Sequence, residues 1–447
     1  MNNLIIRKIK TKLNAFEIYT IIKDFDESYI LDSSTVDNAS RYSFMSAKPF
    51  DSIKLKEDLK SFDILKEKLS KYKVEIQNKE FPLISGAVGY LSYNLKNTIE
   101  KKLLNDAVDD IDMYDMYLNF YDWTIIYDNL KEEAYIATYE ICKNSKNEIE
   151  MIIDLIENAN KPDLEIKEMQ KTVLKSNFKK EDYIQSIEKI RQYIKAGDVY
   201  QVNMTQRFEG ETNMESYDLY NRLRTLSPAP FGAFLNFKDI NILSNSPERF
   251  IKMQDRKIDT RPIKGTRPRG KDEIEDLKYK EELLNSEKDK AELLMIVDLE
   301  RNDLGRVSKI GSVKVEELFK LEEYANVNHL VAKITSKLHD DKDEIDLIKA
   351  SFPGGSITGA PKIRAMDIIE ELEQLKRNVY TGSIGYIDFC GDMDLNIAIR
   401  TLIKKDKKVY YQVGGGITWD SNPEEEYEES IQKGKSIKRA LNGEFTI

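Results

Sequence analysis

The sequence predicts an α+β fold, and two observations carry that reading. Strand-like runs late in the chain adjoin one another with no helix between them. Ser383 to Asp388, a Phe-Cys-Gly-Asp-Met turn, Leu395 to Ile403, a Lys-rich turn and Val409 to Ile417 read as one antiparallel meander. Long helical segments are mixed with such runs instead of alternating strictly with them, which disfavours a doubly wound sheet.

The other elements have their own signals. Asp115 to Tyr127 is strand-like, as is the Gly-containing run Ile84 to Tyr90, whose Gly86-Ala87-Val88-Gly89-Tyr90 echoes Gly382-Ser383-Ile384-Gly385-Tyr386. Ile184, Ile187, Ile190 and Ile194 fall three or four apart, and Gly197 stands where a helix C-cap belongs. The stretch 159–177 is polar and Lys/Glu-rich, with Pro162, and is the most linker-like interior segment. The expected division is therefore 1–158, a linker over 159–177, and 178–447.

Bulk properties narrow the function classes. A chain of 447 residues, 40% hydrophobic and 33% charged, has enough apolar material for a large globular core. No run of about 18 apolar residues is present, so no membrane span is expected. The start, Met1-Asn2-Asn3-Leu4-Ile5-Ile6-Arg7, does not read as a signal peptide. Cys142 and Cys390 make neither a disulfide framework nor a metal cluster, which places the chain in a reducing cytoplasm. A net charge of −10 without a basic stripe argues against nucleic acid. An anionic substrate would need a local cationic site against that field.

Four acidic residues form two pairs. Asp289 and Glu292, and likewise Glu426 and Glu429, lie three apart in helical segments, so each pair shares a helix face. Two such faces opposed would suit Mg²⁺, which takes carboxylates, water and substrate oxygens. For the second pair, acidic residues after Asn422-Pro423 equally fit a helix start favoured by its dipole. The Gly-rich stretch Phe352 to Lys362 is either a plain loop before a Pro-started helix or an anion cradle of backbone N–H groups; it is no Walker loop. Lys264 sits among Arg261, Arg267 and Arg269, a pattern that fits a solvated basic loop. It also fits a nucleophilic amine whose ordinary pKa of about 10.4 is lowered by neighbouring cations and burial. His329, between apolar neighbours, reads as a core histidine. Neither cysteine lies on a Gly-flanked elbow of the kind a glutaminase nucleophile needs.

Six phrases in order resemble the chorismate-utilising family over nearly the whole chain. They are Gly197-Asp198-Val199-Tyr200-Gln201-Val202, Ser246-Pro247-Glu248-Arg249-Phe250, Pro262-Ile263-Lys264-Gly265-Thr266, Met295 to Asp303, Pro353 to Lys362, and Glu426-Tyr427-Glu428-Glu429-Ser430. The resemblance implies two intertwined subdomains, with two antiparallel sheets packed together and helices outside. It implies chorismate as substrate and Mg²⁺ held by Glu292 and Glu429, with Asp289 and Glu426 nearby; Asp289 departs from the family's usual Glu. Tyr380, Arg400 and the Gly414-Gly415-Gly416 backbone are implied as the clamp on the enolpyruvyl carboxylate. Lys433 would add charge, and Gly265, Thr266 and Ser356 would line the substrate. Glu248 is implied as the acid that protonates the departing 4-hydroxyl, and His329 as a neighbour of the ring hydroxyl.

Two positions separate the family's reactions. Members that add water carry a lysine base where this chain has Gln201. Anthranilate-forming members typically carry Ala where this chain has Lys264, and a lysine there marks the aminodeoxychorismate-forming branch. The expectation is covalent catalysis by Lys264 at C2, then amination at C4 by ammonia from a separate glutamine amidotransferase, towards 4-aminobenzoate and folate. The chain ends without a lyase domain, so another protein is expected to convert the product. An anthranilate synthase large subunit and a non-catalytic subunit that docks a glutaminase are the alternatives. Ser33, Pro228 and Phe231 match phrases that line a tryptophan pocket in the family. Asp32 departs from the usual Glu there, and a structural or vestigial pocket is expected.

Overall fold

A computed structural model describes residues 4–35, 40–76, 79–100, 103–104, 106–166, 171–323 and 327–445. Residues 167–170 of the expected linker lie outside the described residues. The strands gather into two large sheets. In the first, Tyr42–Ser46 pairs with β1 (Ser28–Asp32), which pairs with β4 (Phe231–Asn236), while β3 (Gln201–Glu211) lies further along. The order continues through β5 (Asn241–Ser246), β11 (Thr401–Lys405) and β12 (Lys408–Ile417) to β3. The second sheet runs from β7 (Ile263–Pro268) and β8 (Val327–Lys337) through Lys257–Thr260 to β6 (Arg249–Gln254). It continues through β10 (Met393–Asn396), β9 (Ser383–Asp388) and β2 (Gly86–Leu91). Among the described residues, pairing is antiparallel except where Gly443–Phe445 runs parallel to Thr172–Ser176 and where an isolated parallel bridge joins Val108 and Leu375.

N-terminal strands sit beside C-terminal ones in both sheets, so the two parts of the chain are intertwined. The echoing segments are neighbours: Gly89 of β2 faces Gly385 of β9. The largest core cluster, including Tyr29, Phe44, Val88, Leu235, Ile251 and Tyr386, draws on both sheets. Helices cover the outside. On α1 (Lys180–Ala196), Tyr183, Ile187 and Ile190 are buried against β3, and Gly197 closes the helix at φ 83°, a left-handed conformation that glycine adopts without strain.

Two expectations change. The last residues of the expected linker, Thr172–Ser176, are a strand, because their alternating side chains bury Thr172 and Leu174. The run Leu395 to Ile403 is not one strand: β9 and β10 form a hairpin in one sheet, β11 and β12 a hairpin in the other. The chain crosses between sheets at Ile397–Arg400, where Arg400 has φ 50°. No Gly or Pro in that run marks the crossing.

Candidate active site

Three helices bring charge to the strand ends. α2 (Glu287–Gly305) starts at Ser286, whose hydroxyl accepts the Asp289 N–H, and α3 (Lys362–Glu373) follows Pro361. α4 (Pro423–Lys433) starts at Asn422, whose side chain accepts the N–H groups of Glu424 and Glu425. Pro at the first helical position and three acidic residues in the first turn fix that start.

Lys264 lies on β7 just before a bulge at Gly265, which has φ 70° and packs against Asp289. Its Nζ is 3.8 Å from Glu292 on α2, and its charge acts on Glu429 of α4 and on Glu248. A Cβ on Gly416 would lie 2.4 Å from Gln201 Nε2 and 3.3 Å from Lys264 Nζ, so the missing side chain makes room for both groups. Gln201 is fully buried, and neither of its amide atoms has a partner among the described residues. A buried amide with no partner is unfavourable unless a ligand or water satisfies it.

Glu248, in the link between β5 and β6, is buried beside Ser356 and the Ile263 N–H. Burial pushes its carboxyl up to about 7, outweighing the hydrogen bond from Ser356 and the charge of Lys264. Burial and Arg400 hold His329 down at about 4, so the imidazole is neutral; its Nδ1 lies 2.9 Å from Thr266 Oγ1. Arg400 has no carboxylate within ion-pair distance among the described residues, and burial alone lowers its pKa. Tyr380 is buried beside the crossing segment, since the N–H of Thr381 donates to the Ala398 carbonyl. Neutral histidine, a cation without a counter-ion and a protonated acid together suit an anionic, hydroxyl-bearing molecule.

The four acidic candidates divide. Glu426 and Glu429 share the space over Gly415 with Lys433, whose Nζ lies 2.7 Å from Glu429 and donates to the Gly414 carbonyl at 3.0 Å. Burial and the charge of Glu429 raise the Glu426 acid, while Lys433 keeps Glu429 low. Asp289 is bound by Arg267 at 3.1 Å. Among the described residues no three acidic or histidine side chains converge as metal ligands. The donors are nonetheless all carboxylate oxygens, a set that fits a hard cation. Lys433 supplies most of the positive charge that faces Glu429, with Lys288 and Lys264 adding to it.

Arg261 and Arg267 do not crowd Lys264 with bare charge. Arg261 is tied to Glu322, and Arg267 to Asp289. The carboxylate of Glu292 is what lies within ion-pair distance of Lys264.

A family model described as chorismate binding enzyme matches residues 26–439. The chain belongs to that family. The chorismate-binding enzymes it resembles include anthranilate synthase component 1 of Aquifex aeolicus, 40% identical over 80% of this chain and 74% of that protein. They also include aminodeoxychorismate synthase component 1 of Escherichia coli, 42% identical over 81% and 78%. The solved anthranilate synthase component I of Streptococcus pneumoniae superposes with TM-score 0.80 at 31% identity, over 91% of this chain and 94% of that one. The chain is thus a chorismate-utilising enzyme of the aminodeoxychorismate or anthranilate synthase component I type. No helix among the described residues is long and apolar enough to cross a membrane.

Of the tryptophan-pocket candidates in this chorismate-binding enzyme, Ser33 and Phe231 line a cavity of about 300 Å³ between the sheets, and Pro228 does not. Pro228 precedes β4 by three residues and so falls short of the cavity wall. The Ser33 hydroxyl donates to the carbonyls of Tyr42 and Pro230, and Asp32 is bound by Arg224 at 2.6 Å. Sequence reading passed over Lys288 and Glu300. Both lie on α2 with Asp289 and Glu292, and plotting charges along that helix face would have found them.

Proposed function

We propose that this chain is component I of aminodeoxychorismate synthase, converting chorismate and ammonia to 4-amino-4-deoxychorismate. The observation that carries the reading is Lys264, an amine over Gly416 beside the unpartnered Gln201 and within the field of the buried Glu248 acid. In its neutral form Lys264 bonds to C2 of chorismate, the double bond shifts, and the 4-hydroxyl leaves as water with the proton of Glu248. Ammonia then bonds to C4 and the shift reverses, expelling Lys264 as the amine. Gln201 cannot take a proton, so water is not activated there. Arg400 and Tyr380 hold the enolpyruvyl carboxylate, and neutral His329 contacts the ring hydroxyl. Glu292 and Glu429, with Asp289 and Glu426 around them, would hold Mg²⁺, which supplies a divalent charge for the ring carboxylate. Ammonia comes from a separate glutamine amidotransferase, and the product feeds 4-aminobenzoate and folate synthesis in the cytoplasm.

The test is product identity. Chain, chorismate, Mg²⁺ and ammonium should give 4-amino-4-deoxychorismate, which an added lyase turns into 4-aminobenzoate. Lys264→Ala should lose most of that activity, and mass spectrometry should find an adduct on native Lys264 with a trapping analogue. A second reading, anthranilate synthase component I, is favoured by the 40% identity to the Aquifex aeolicus protein. Anthranilate from the native chain would establish that reading instead.

A further inference from the structure

We propose that Arg267 and Asp289 form a positioning pair that holds the bulge of β7 and so aims the Lys264 amine; this rests on the reading of Lys264 as the nucleophile. In a regular strand Lys264 and Thr266, two apart, would face the same side. The register sets them on opposite sides. Lys264 lies across from Leu330 and Thr266 across from His329, neighbours on β8, and Gly265 is the extra residue between the two pairs. Lys264 therefore reaches towards α2, where its Nζ is 3.8 Å from Glu292, while the Thr266 hydroxyl stays 2.9 Å from His329 Nδ1. Without the extra residue's conformation, one of the two side chains would turn to the wrong face.

Strand pairing does not hold such a bulge, because the extra residue is left out of the ladder. Contacts with the start of α2 do. Gly265 has φ 70°, and a Cβ there would lie 2.7 Å from Leu283 Cδ1 and 2.9 Å from Asp289 Cγ, so the bulged backbone rests directly on these two side chains. Just past the bulge, Arg267 donates from Nη1 to the Thr266 carbonyl at 3.0 Å and from Nη2 to Asp289 Oδ2 at 3.1 Å. A planar guanidinium fixes both partners in one geometry, which a flexible ammonium does not. Asp289 is itself held, since its N–H donates to the Ser286 hydroxyl at 3.2 Å at the helix cap. It stands three residues before Glu292, on the same face of α2. The first turns of α2 thus set both the bulge that carries Lys264 and the carboxylate that its amine faces. Arg267 acts on Lys264 as a tie on the backbone, not as a bare charge.

Arg267→Gln removes the tie and leaves Glu292 and Glu429 in place. With chorismate, Mg²⁺ and ammonium, its kcat for chorismate loss should fall about 10- to 100-fold with KM unchanged, the cost of a reacting group displaced by about 1 Å. Asp289→Asn should lose as much, and the double variant no more than either alone. Arg267→Lys, which keeps the charge without the planar fork, should fall between native and Arg267→Gln, and it carries the same tests if Arg267→Gln does not fold. On a Lys264→Ala background, Arg267→Gln should cost nothing further. Two readouts need no turnover. Acetylation of Lys264 in the substrate-free chain, followed by peptide mass spectrometry, should be several-fold faster in Arg267→Gln, because the amine leaves Glu292. Mn²⁺ affinity of that variant, read by electron paramagnetic resonance, should stay native. A native kcat in Arg267→Gln, additive losses in the double variant, a native acetylation rate, or Mn²⁺ affinity falling in step with kcat would each overturn the proposal. If Lys264→Ala kept the full rate, the nucleophile reading would fail, and the acetylation rate would still decide whether this pair places the amine.

Discussion

Burial holds the Glu248 carboxyl protonated up to about pH 7, and a general acid works only while protonated. At fixed free ammonia, turnover should be level below pH 7 and fall above it, as read from chorismate absorbance. Glu248→Gln should lower turnover about 10²- to 10⁴-fold. The same burial affects stability with a definite sign. The folded pKa is raised, so the native state binds the extra proton between the ordinary carboxyl range and pH 7, and stability falls as pH rises through that window. The loss is on the order of 3 kcal/mol. Glu248→Gln does not titrate, so its melting temperature should overtake that of the native chain between pH 5 and pH 8. Equal pH dependence in the two proteins would show that Glu248 is not desolvated. Arg400 offers a parallel case, because no described carboxylate offsets its charge. Arg400→Gln should raise the KM for chorismate about 10- to 100-fold, the worth of a charged hydrogen bond, without lowering the melting temperature. An unchanged KM would remove Arg400 from the clamp.

Gly414 and Gly416 of β12 do different things. A Cβ on Gly414 would fall 2.0 Å from the Met204 carbonyl, which is backbone and cannot move aside. On Gly416 it would meet the ends of Gln201 and Lys264 instead. Gly414→Ala should therefore destabilise the sheet by about 1–3 kcal/mol or more in denaturant titration. Gly416→Ala should fold normally and lose turnover. If Gly416→Ala keeps full activity, the space over that residue is not where chemistry occurs. Period and caps made α1 and α4 legible in the sequence, through Ile187, Ile190 and Gly197 and through Asn422-Pro423. The sheet crossing was not legible, because no Gly or Pro in Leu395 to Ile403 marks the left-handed conformation of Arg400. Nor were the partners of Arg261 and Arg267 legible. Glu322 and Asp289 come from elements that only the fold brings alongside, and nearness in sequence suggested an effect on Lys264 that geometry removes. Lys264, Glu292 and Glu429 were linked beforehand by family resemblance alone.

At the scale of the molecule, strands from before and after residue 159 form two blocks in each sheet that meet at one seam, β1 against β4 in the first sheet and β2 against β9 in the second. Fragments 1–158 and 178–447 expressed separately should each lack a cooperative thermal transition, whereas the intact chain nicked within 159–166 should stay together on gel filtration. A fragment that melts cooperatively alone would show that the parts are independent domains. The same seams set a schedule for synthesis. β1 must wait for β4, whose Phe234 pairs with Ile30 roughly 200 residues later, which at about 5–20 residues per second is about 10–40 s of translation. Until then the edge of β1 that β4 covers stays open, and the nascent chain is a client for holding chaperones. Overproduction that outruns those chaperones should yield aggregates built from the early strands.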